Sequence, residues 1–419
     1  MAAPAAPSQQ SLFALSCLNF FLSGMQTAFG PIASAYLVLQ GLTAKEIGFV
    51  LTIGGIASLV SQVPGGELVD TAPAKRLLVA TGVVTVALSV VIFRLWPVLP
   101  LLALAEILQG LTGGVLGPAV VAITLGLVGH ARLSERLGQN QRFAAAGGVA
   151  VTLTMALIAY SDSPWAMLVP AALALPVLVS LNHIRADEID FARASSAEPG
   201  DADRPGRANR SALLKNRRLL IFAACAALFQ LASASMMPLL GGLLAYESKT
   251  QAAPLIAALI VVPQVLVGLI APWVGRSAEK YGRKPLLLVG FAALPIRAVL
   301  FALISNPLAL IVIQLLDVIT GAVLGVMTPV VIADVTMGTG RFNLAQGMFG
   351  TVMGVGAALS PTLTGLIVDQ FGRSAGFASL AAEGCVALLL LAVFLPETKE
   401  QLPDSAIEPG QSSLGGTAR

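Results

Sequence analysis

The chain has 419 residues, of which 56% are hydrophobic and only 11% charged, against about 25% charged in an average soluble domain. The net charge of +3 is too small in a chain this long to favour a nucleic-acid partner, and the composition excludes a soluble fold. Runs without Asp, Glu, Lys or Arg, such as 219–246, 250–275 and 342–368, reach the roughly 20 apolar residues that a bilayer core requires of a spanning helix. Cys17, Cys225 and Cys385 sit singly in apolar segments and read as packing residues, with no disulfide framework or metal cluster. The N-terminal stretch lacks the basic region of a signal peptide and is expected to stay uncleaved.

Charges, prolines and glycines divide the chain into twelve predicted spanning segments. In the first half they lie near 12–37, 46–68, 77–93, 99–126, 138–160 and 165–182; in the second, near 218–242, 252–274, 285–304, 308–335, 343–368 and 376–395. The expected layout is an all-α membrane protein: a tail (1–11), a six-helix bundle (12–183), a polar linker (184–217), a second six-helix bundle (218–395) and a tail (396–419). With both termini inside, nearly all of the 25 Lys and Arg residues fall on the inner side. Only Lys45, Arg94, Lys249 and Arg373 are left outside, with Arg297 inside segment nine. The positive-inside rule therefore predicts a multi-pass protein of the cell (inner) membrane with cytoplasmic termini.

Taken in order, the first segment offers Asn19, Gln26 and Thr27. The second closes on PGGELVD, with Gly66, Glu67 and Asp70, followed by Lys75 and Arg76. The fourth carries Glu106, Gln109, Gly110 and Pro118, and the seventh Gln230, Ser233 and Ser235. The eighth contains Gln264 and closes on GRSAEKYGRK, with Gly275, Glu279, Gly282, Arg283 and Lys284. The tenth carries Gln314, Asp317, Gly321, Pro329 and Asp334, with Arg341 just beyond it; Glu383 lies in the twelfth. Two internal matches tie the halves together. Gly66 and Asp70 map onto Gly275 and Glu279 at an offset of 209, and Glu106, Gly110 and Pro118 map onto Asp317, Gly321 and Pro329 at 211. Both halves thus descend from one unit, as parallel repeats in transporter folds do.

The two loop motifs, the 6+6 repeat and the long middle linker resemble the major facilitator superfamily over residues 12–395. The resemblance implies twelve helices in two pseudo-symmetric bundles, with helices 1, 4, 7 and 10 around a central cavity. The first loop departs from the family pattern, since Pro73 stands where a glycine is usual. A second departure is Glu106, which occupies the position where many proton-coupled exporters of the family carry an arginine. An arginine-based proton relay is thereby disfavoured, and a carboxylate relay is left open.

The loops have a physical reading of their own. Glycine lets two helices approach closely. An acid at the inner face can accept an N–H from a neighbouring helix end or pair with a facing Arg, forming a latch made in one conformation and broken in another. The alternative is a tight basic turn that only fixes topology. Asp334 and Arg341 are candidates for the same network. Within the membrane, Glu106 and Asp317 are functional candidates because embedded acids are costly. Each has a structural alternative, neutralisation by Arg94 and by Arg297 respectively. Asn19, Gln26, Gln109, Gln230, Gln264 and Gln314 would add uncharged hydrogen bonds. His130 and His183 lie at inner helix ends, no phosphate-binding GxxxxGK[ST] loop is present, and no catalytic constellation is visible.

The expected function is secondary active transport by alternating access, as proton-coupled export of a cationic or amphipathic small molecule. The alternatives are an importer of a neutral or anionic metabolite, or a non-transporting membrane sensor on a transporter scaffold. The expected partners are the substrate, protons and the bilayer, with no cofactor, no metal, no nucleic acid and a monomeric chain.

Overall fold

The computed structural model describes residues 7–39, 42–160, 168–197, 213, 215–240, 252–304 and 306–399. The helices among them fall on the predicted segments: α1 (Gln9–Leu39), α2 (Ala44–Thr71), α3 (Lys75–Leu95), α4 (Leu99–Val128), α5 (Leu133–Tyr160) and α6 (Val169–Ala172 continuing as Ala174–His183). The second half supplies α7 (Arg217–Ala234), α8 (Ala252–Tyr281), α9 (Arg283–Leu303), α10 (Pro307–Gln314 and Leu316–Val335), α11 (Phe342–Phe371) and α12 (Arg373–Phe394). Nine of the described helices, α2–α4 and α7–α12, are long and apolar enough to cross a membrane. The middle of the linker (198–212), the tail from 400 and Lys249 lie outside the described residues.

Local chemistry sets the helix ends. Thr43 and Glu46 form a capping box at the start of α2: the Thr43 hydroxyl accepts the Glu46 N–H, and the Glu46 carboxylate accepts the Thr43 N–H at 2.8 Å, which satisfies donors no helix can pair internally. Asn216 caps α7, and Asn306 caps α10 through the N–H groups of Leu308 and Ala309. Pro118 and Pro329 lie inside α4 and α10 without ending them. The interruption of α10 comes instead at Leu315, where the N–H groups of Leu315 and Val318 bond three residues back, to Val312 and Leu315. Such tightening displaces the α-helical ladder locally, and it puts Gln314 and Asp317 on either side of the break.

Within the first half α2 packs on α4, α1 on α5 and α3 on α4; within the second, α9 packs on α12, α7 on α11 and α8 on α10. Across the halves the principal partners are α5 with α8 and α2 with α11. The packing repeats with the sequence. A Cβ at Gly147 would collide with the Phe20 carbonyl where α1 meets α5. Its counterpart at the repeat offset is Gly356, where a Cβ would collide with the Ala227 carbonyl as α7 meets α11. Bare backbone lets these helix pairs close to contact distance.

Gly147→Val should therefore force α1 off α5 and lower stability by about 1–3 kcal/mol, the usual cost of overpacking. Gly55→Ala, where an added Cβ meets nothing within 4 Å, should leave stability unchanged or raise it, because alanine favours helix over glycine by about 1 kcal/mol. Thermal unfolding in detergent would report both.

Candidate functional site

Two sets of residues carry chemistry, one at the basic end of the bundle and one in a cavity between the halves. At the basic end, Asp70 closes α2 with only 1% of its surface exposed. Its Oδ1 accepts the Asn343 N–H at 3.0 Å and the Asn343 side-chain amide at 2.8 Å, and its Oδ2 accepts the Leu344 N–H at 2.8 Å. A carboxylate thus caps the N-terminus of α11, where orphan N–H groups and the helix dipole favour negative charge. In the repeat-related place Glu279, at the end of α8, accepts the Ser134 hydroxyl at the start of α5.

The repeat extends to the partners, since Ser134 and Asn343 are separated by the same offset as the two acids. Glycine makes these contacts possible. A Cβ on Gly66 would strike the Asn343 carbonyl, and one on Gly275 the Ser134 carbonyl. One turn further in, Gly347 meets the Gln62 carbonyl and Gly138 that of Ala271, again at the same offset. Both seams between the halves are therefore drawn together at the basic end. Further along α2 and α11, an added Cβ at Gly48, Gly55 or Gly365 would meet nothing within 4 Å.

The basic residues divide their work unequally. The Lys75 ammonium donates to the Val69 carbonyl and lies 4.5 Å from the Phe191 ring. Arg283 donates at 2.8 Å to the Ala278 carbonyl, the repeat counterpart of that acceptor, and pairs with Asp334 at 3.1 Å and Glu279 at 3.4 Å. Lys75 is thus the counterpart of Arg283, although the offset between them is shorter by one. The step from acid to base is one residue shorter in the second half, where the turn is Gly282 alone at φ +89°, a conformation costly for other residues. The first turn uses Ala72, Pro73 and Ala74 instead. Arg341 pairs with Glu67 across the halves at 3.5 Å rather than with Asp334. Lys284 contributes its backbone N–H to Glu397 at 3.1 Å.

The linker lies over this end and joins both halves. Asp190 takes a backbone bond to Gly126 and caps the turn Phe191–Ala194. The Ala194 carbonyl accepts the Asn343 amide at 3.1 Å, while the Ser195 and Ser196 carbonyls accept the N–H groups of Phe342 and Gly340. Ser196 also contacts His130 Nε2 at 3.2 Å. Burial, assisted by Arg193, pushes the His130 pKa down to about 4, so the ring is neutral at ordinary pH.

The cavity, of about 350 Å³, lies between α1 and α5 of the first half and α7, α8 and α10 of the second. Its polar lining is Ser23, Gln141, Gln264, Gln314 and Asp317, set among Met237, Pro263 and Val267. Among the described residues, Asp317 is the only ionisable side chain in that lining. Behind it stands Arg297, 2% exposed, which pairs with the Asp317 carboxylate and donates to Met236 Sδ at 3.3 Å. Gln314 donates to Asp317 at 3.3 Å, and its own buried carbonyl oxygen has no hydrogen-bond partner among the described residues.

Other candidates sit elsewhere. Glu106 is not in the cavity lining; it packs against Gly54 in the α2–α4 seam, and no hydrogen bond or ion pair forms to it among the described residues. Gln109, one turn on, has no partner for its buried carbonyl oxygen among the described residues. Asn19 spends its amide on the Leu15 carbonyl of its own helix at 2.8 Å, Gln26 is exposed, and Gln230 is half-buried outside the cavity. Ser235 bonds Ser360 at 2.7 Å, which ties α7 to α11. Sequence reasoning missed Gln141, Ser134, Asn343, Gly138 and Gly347. The offset of 209 that relates the two acids also relates Ser134 to Asn343 and Gly138 to Gly347, which is the sequence signal for the last four.

These features are those of a membrane transporter built from two repeated halves. The Major Facilitator Superfamily model matches residues 12–273 and 252–415, and the chain belongs to that family. It is 39% identical over 389 residues to an uncharacterized MFS-type transporter of Mycobacterium tuberculosis, covering 92% of this chain and 93% of the relative. It is 28% identical to the class H tetracycline resistance protein of Pasteurella multocida over 187 residues, 44% of this chain and 46% of that one. Among solved structures, a proton:xylose symporter superposes with a TM-score of 0.72 at 14% identity, covering 93% of this chain and 97% of the other, a likeness of fold alone.

Asp70→Asn should open the basic end. An amide in place of the carboxylate sets an NH2 donor against a helix N–H, and loss of a hydrogen bond to a charged group costs about 1.5–3 kcal/mol, or roughly ten- to a hundredfold in population. With Cys17, Cys225 and Cys385 replaced, Ala144→Cys in the cavity wall should gain labelling by an impermeant maleimide added at the basic end.

Proposed function

We propose that this transporter is a proton-coupled exporter of a small cationic or amphipathic compound, working as a monomer in the cell membrane with its basic end and both termini in the cytoplasm. The observation that carries the reading is the cavity, whose one ionisable lining residue among those described is the carboxylate of Asp317. The unpaired Gln314 oxygen beside it suits a substrate that brings N–H donors. Met237, Pro263 and Val267 offer apolar contact for the remainder of such a molecule. The partial likeness to a tetracycline resistance protein agrees with export.

In this reading the two halves rock about the cavity, and the seams that tie Asp70 to α11 and Glu279 to α5 keep the basic end shut in the state described here. Arg297 holds the Asp317 carboxylate at the cavity wall, and a proton or a cationic substrate competes with Arg297 for it. Glu106, embedded without a counter-ion among the described residues, is the group we assign to the driving proton. A second reading, import of a neutral metabolite, draws support from the Asp317–Arg297 pair itself, which leaves the cavity wall with no net charge beside its three glutamines.

Proteoliposomes under an imposed pH gradient, screened with cationic and neutral compounds, test both readings. Asp317→Asn alone should lose transport and about 3–5 kcal/mol of stability, because Arg297 is left as an uncompensated buried charge. Adding Arg297→Met should restore stability but not transport of a cation. Wild-type transport by the double variant would make the pair purely structural. Glu106→Gln should abolish gradient-driven uptake while substrate exchange without net proton movement persists.

A further inference from the structure

A second cavity, of about 430 Å³, lies at the basic end between the start of α3, the end of α6 and the linker. Its lining includes Lys75, Arg76, Leu77, Leu178, Asn182 and Ala186, and among the described residues contains no acid. Arg76 donates to the Asn182 carbonyl and side-chain oxygens at 3.3 Å, yet its buried Nε has no hydrogen-bond partner among the described residues. Ala74 gives α3 no side-chain cap; its carbonyl accepts the N–H groups of Leu77 and Leu78, while those of Lys75 and Arg76 begin beside the same space.

The second half shows what such a place holds. There the start of α9 is capped by Glu397, whose carboxylate accepts the Arg283 N–H at 2.8 Å and the Lys284 N–H at 3.1 Å. Burial opposes that charge, but backbone donors from Lys399, Arg283, Lys284 and Thr398 hold the Glu397 pKa below its ordinary value. Glu397 stands two residues beyond the C-cap of α12, Leu395. Two residues beyond the C-cap of α6, Ile184, stands Ala186, which lines the cavity. At the corresponding place the first half thus has the cationic helix start, with Ala186 where the second half has a carboxylate.

We propose that this cavity binds the phosphate of an anionic phospholipid from the leaflet at the basic end. A lipid is favoured over a free anion because the cavity wall is apolar at Leu77, Ala80 and Leu178. That wall also continues along exposed Val84 and Leu88 of α3 and Leu175 and Val179 of α6. These side chains give an acyl chain a surface directly below the cations, the arrangement by which basic pockets between spanning helices hold acidic headgroups.

Native mass spectrometry of the full-length protein, titrated with phosphatidylglycerol and phosphatidylcholine of identical acyl chains, tests this. The wild type should retain phosphatidylglycerol preferentially. Arg76→Gln should weaken that retention about fivefold, the factor equivalent to about 1 kcal/mol per basic side chain at a membrane surface. Ala186→Glu, which restores the carboxylate of the second half, should displace the lipid and raise the thermal midpoint without it. Equal retention of the two lipids by the wild type, or unchanged retention in both variants, would overturn the proposal. Displacement of the lipid by millimolar inorganic phosphate would overturn it in favour of a free anion.

Discussion

Asp70 accepts three hydrogen bonds from the first residues of α11 while almost wholly withdrawn from solvent, and the arrangement of the two halves depends on that contact. A buried carboxylate is tolerated only when donors replace its water, and the N–H groups at a helix start are donors that lack internal partners. Each side therefore satisfies the other. Neither half alone can do so, which makes the contact a joint rather than a local cap. The glycines serve it: a side chain at Gly66 or Gly347 would hold α2 and α11 apart and strand the charge.

The same joint is built twice, with unequal strength. On the second seam Glu279 is satisfied by the Ser134 hydroxyl and by Arg283, not by backbone donors, and about a third of its side chain is exposed. Around it Asp334, Glu397 and Lys399 form a wider polar network. On the first seam the compensation is local: Lys75 over Phe191, and the linker laid against Asn343. A transporter that must open this end can tolerate such asymmetry, because one seam can act as a hinge while the other breaks.

Much of this was legible in the sequence, and the reason is periodicity. Apolar runs of bilayer length located the helices, and acid and glycine recurring at one offset marked the basic-end loops. The pairing of Asp317 with Arg297 was one of two expected outcomes because both lie at similar depth. What the sequence hid was which faces meet. Family likeness pointed to helices 1, 4, 7 and 10 as cavity walls and the sequence offered Gln264 of α8 beside them, but Gln141 enters from α5, the helix that packs on α8 between the halves. Glu106 matches Asp317 in the repeat, yet α2 covers it at Gly54, whereas the break at Leu315 turns Gln314 and Asp317 towards the cavity. Helix breaks without proline or glycine carry little local signal, and Leu315 is such a case.

The central claim is that the two acid-capped seams hold the basic end shut and that their release opens it while the far end closes. Spin-label distances measured on one sample at both ends test this most directly. One pair would sit at Thr71 and Met337 at the basic end, the other at Phe49 and Gln370 at the opposite end, all on exposed positions. In a chain carrying Asp70→Ala and Glu279→Ala, the first distance should lengthen while the second shortens. If both distances stay as in the parent chain, or lengthen together, the seams are not the gate.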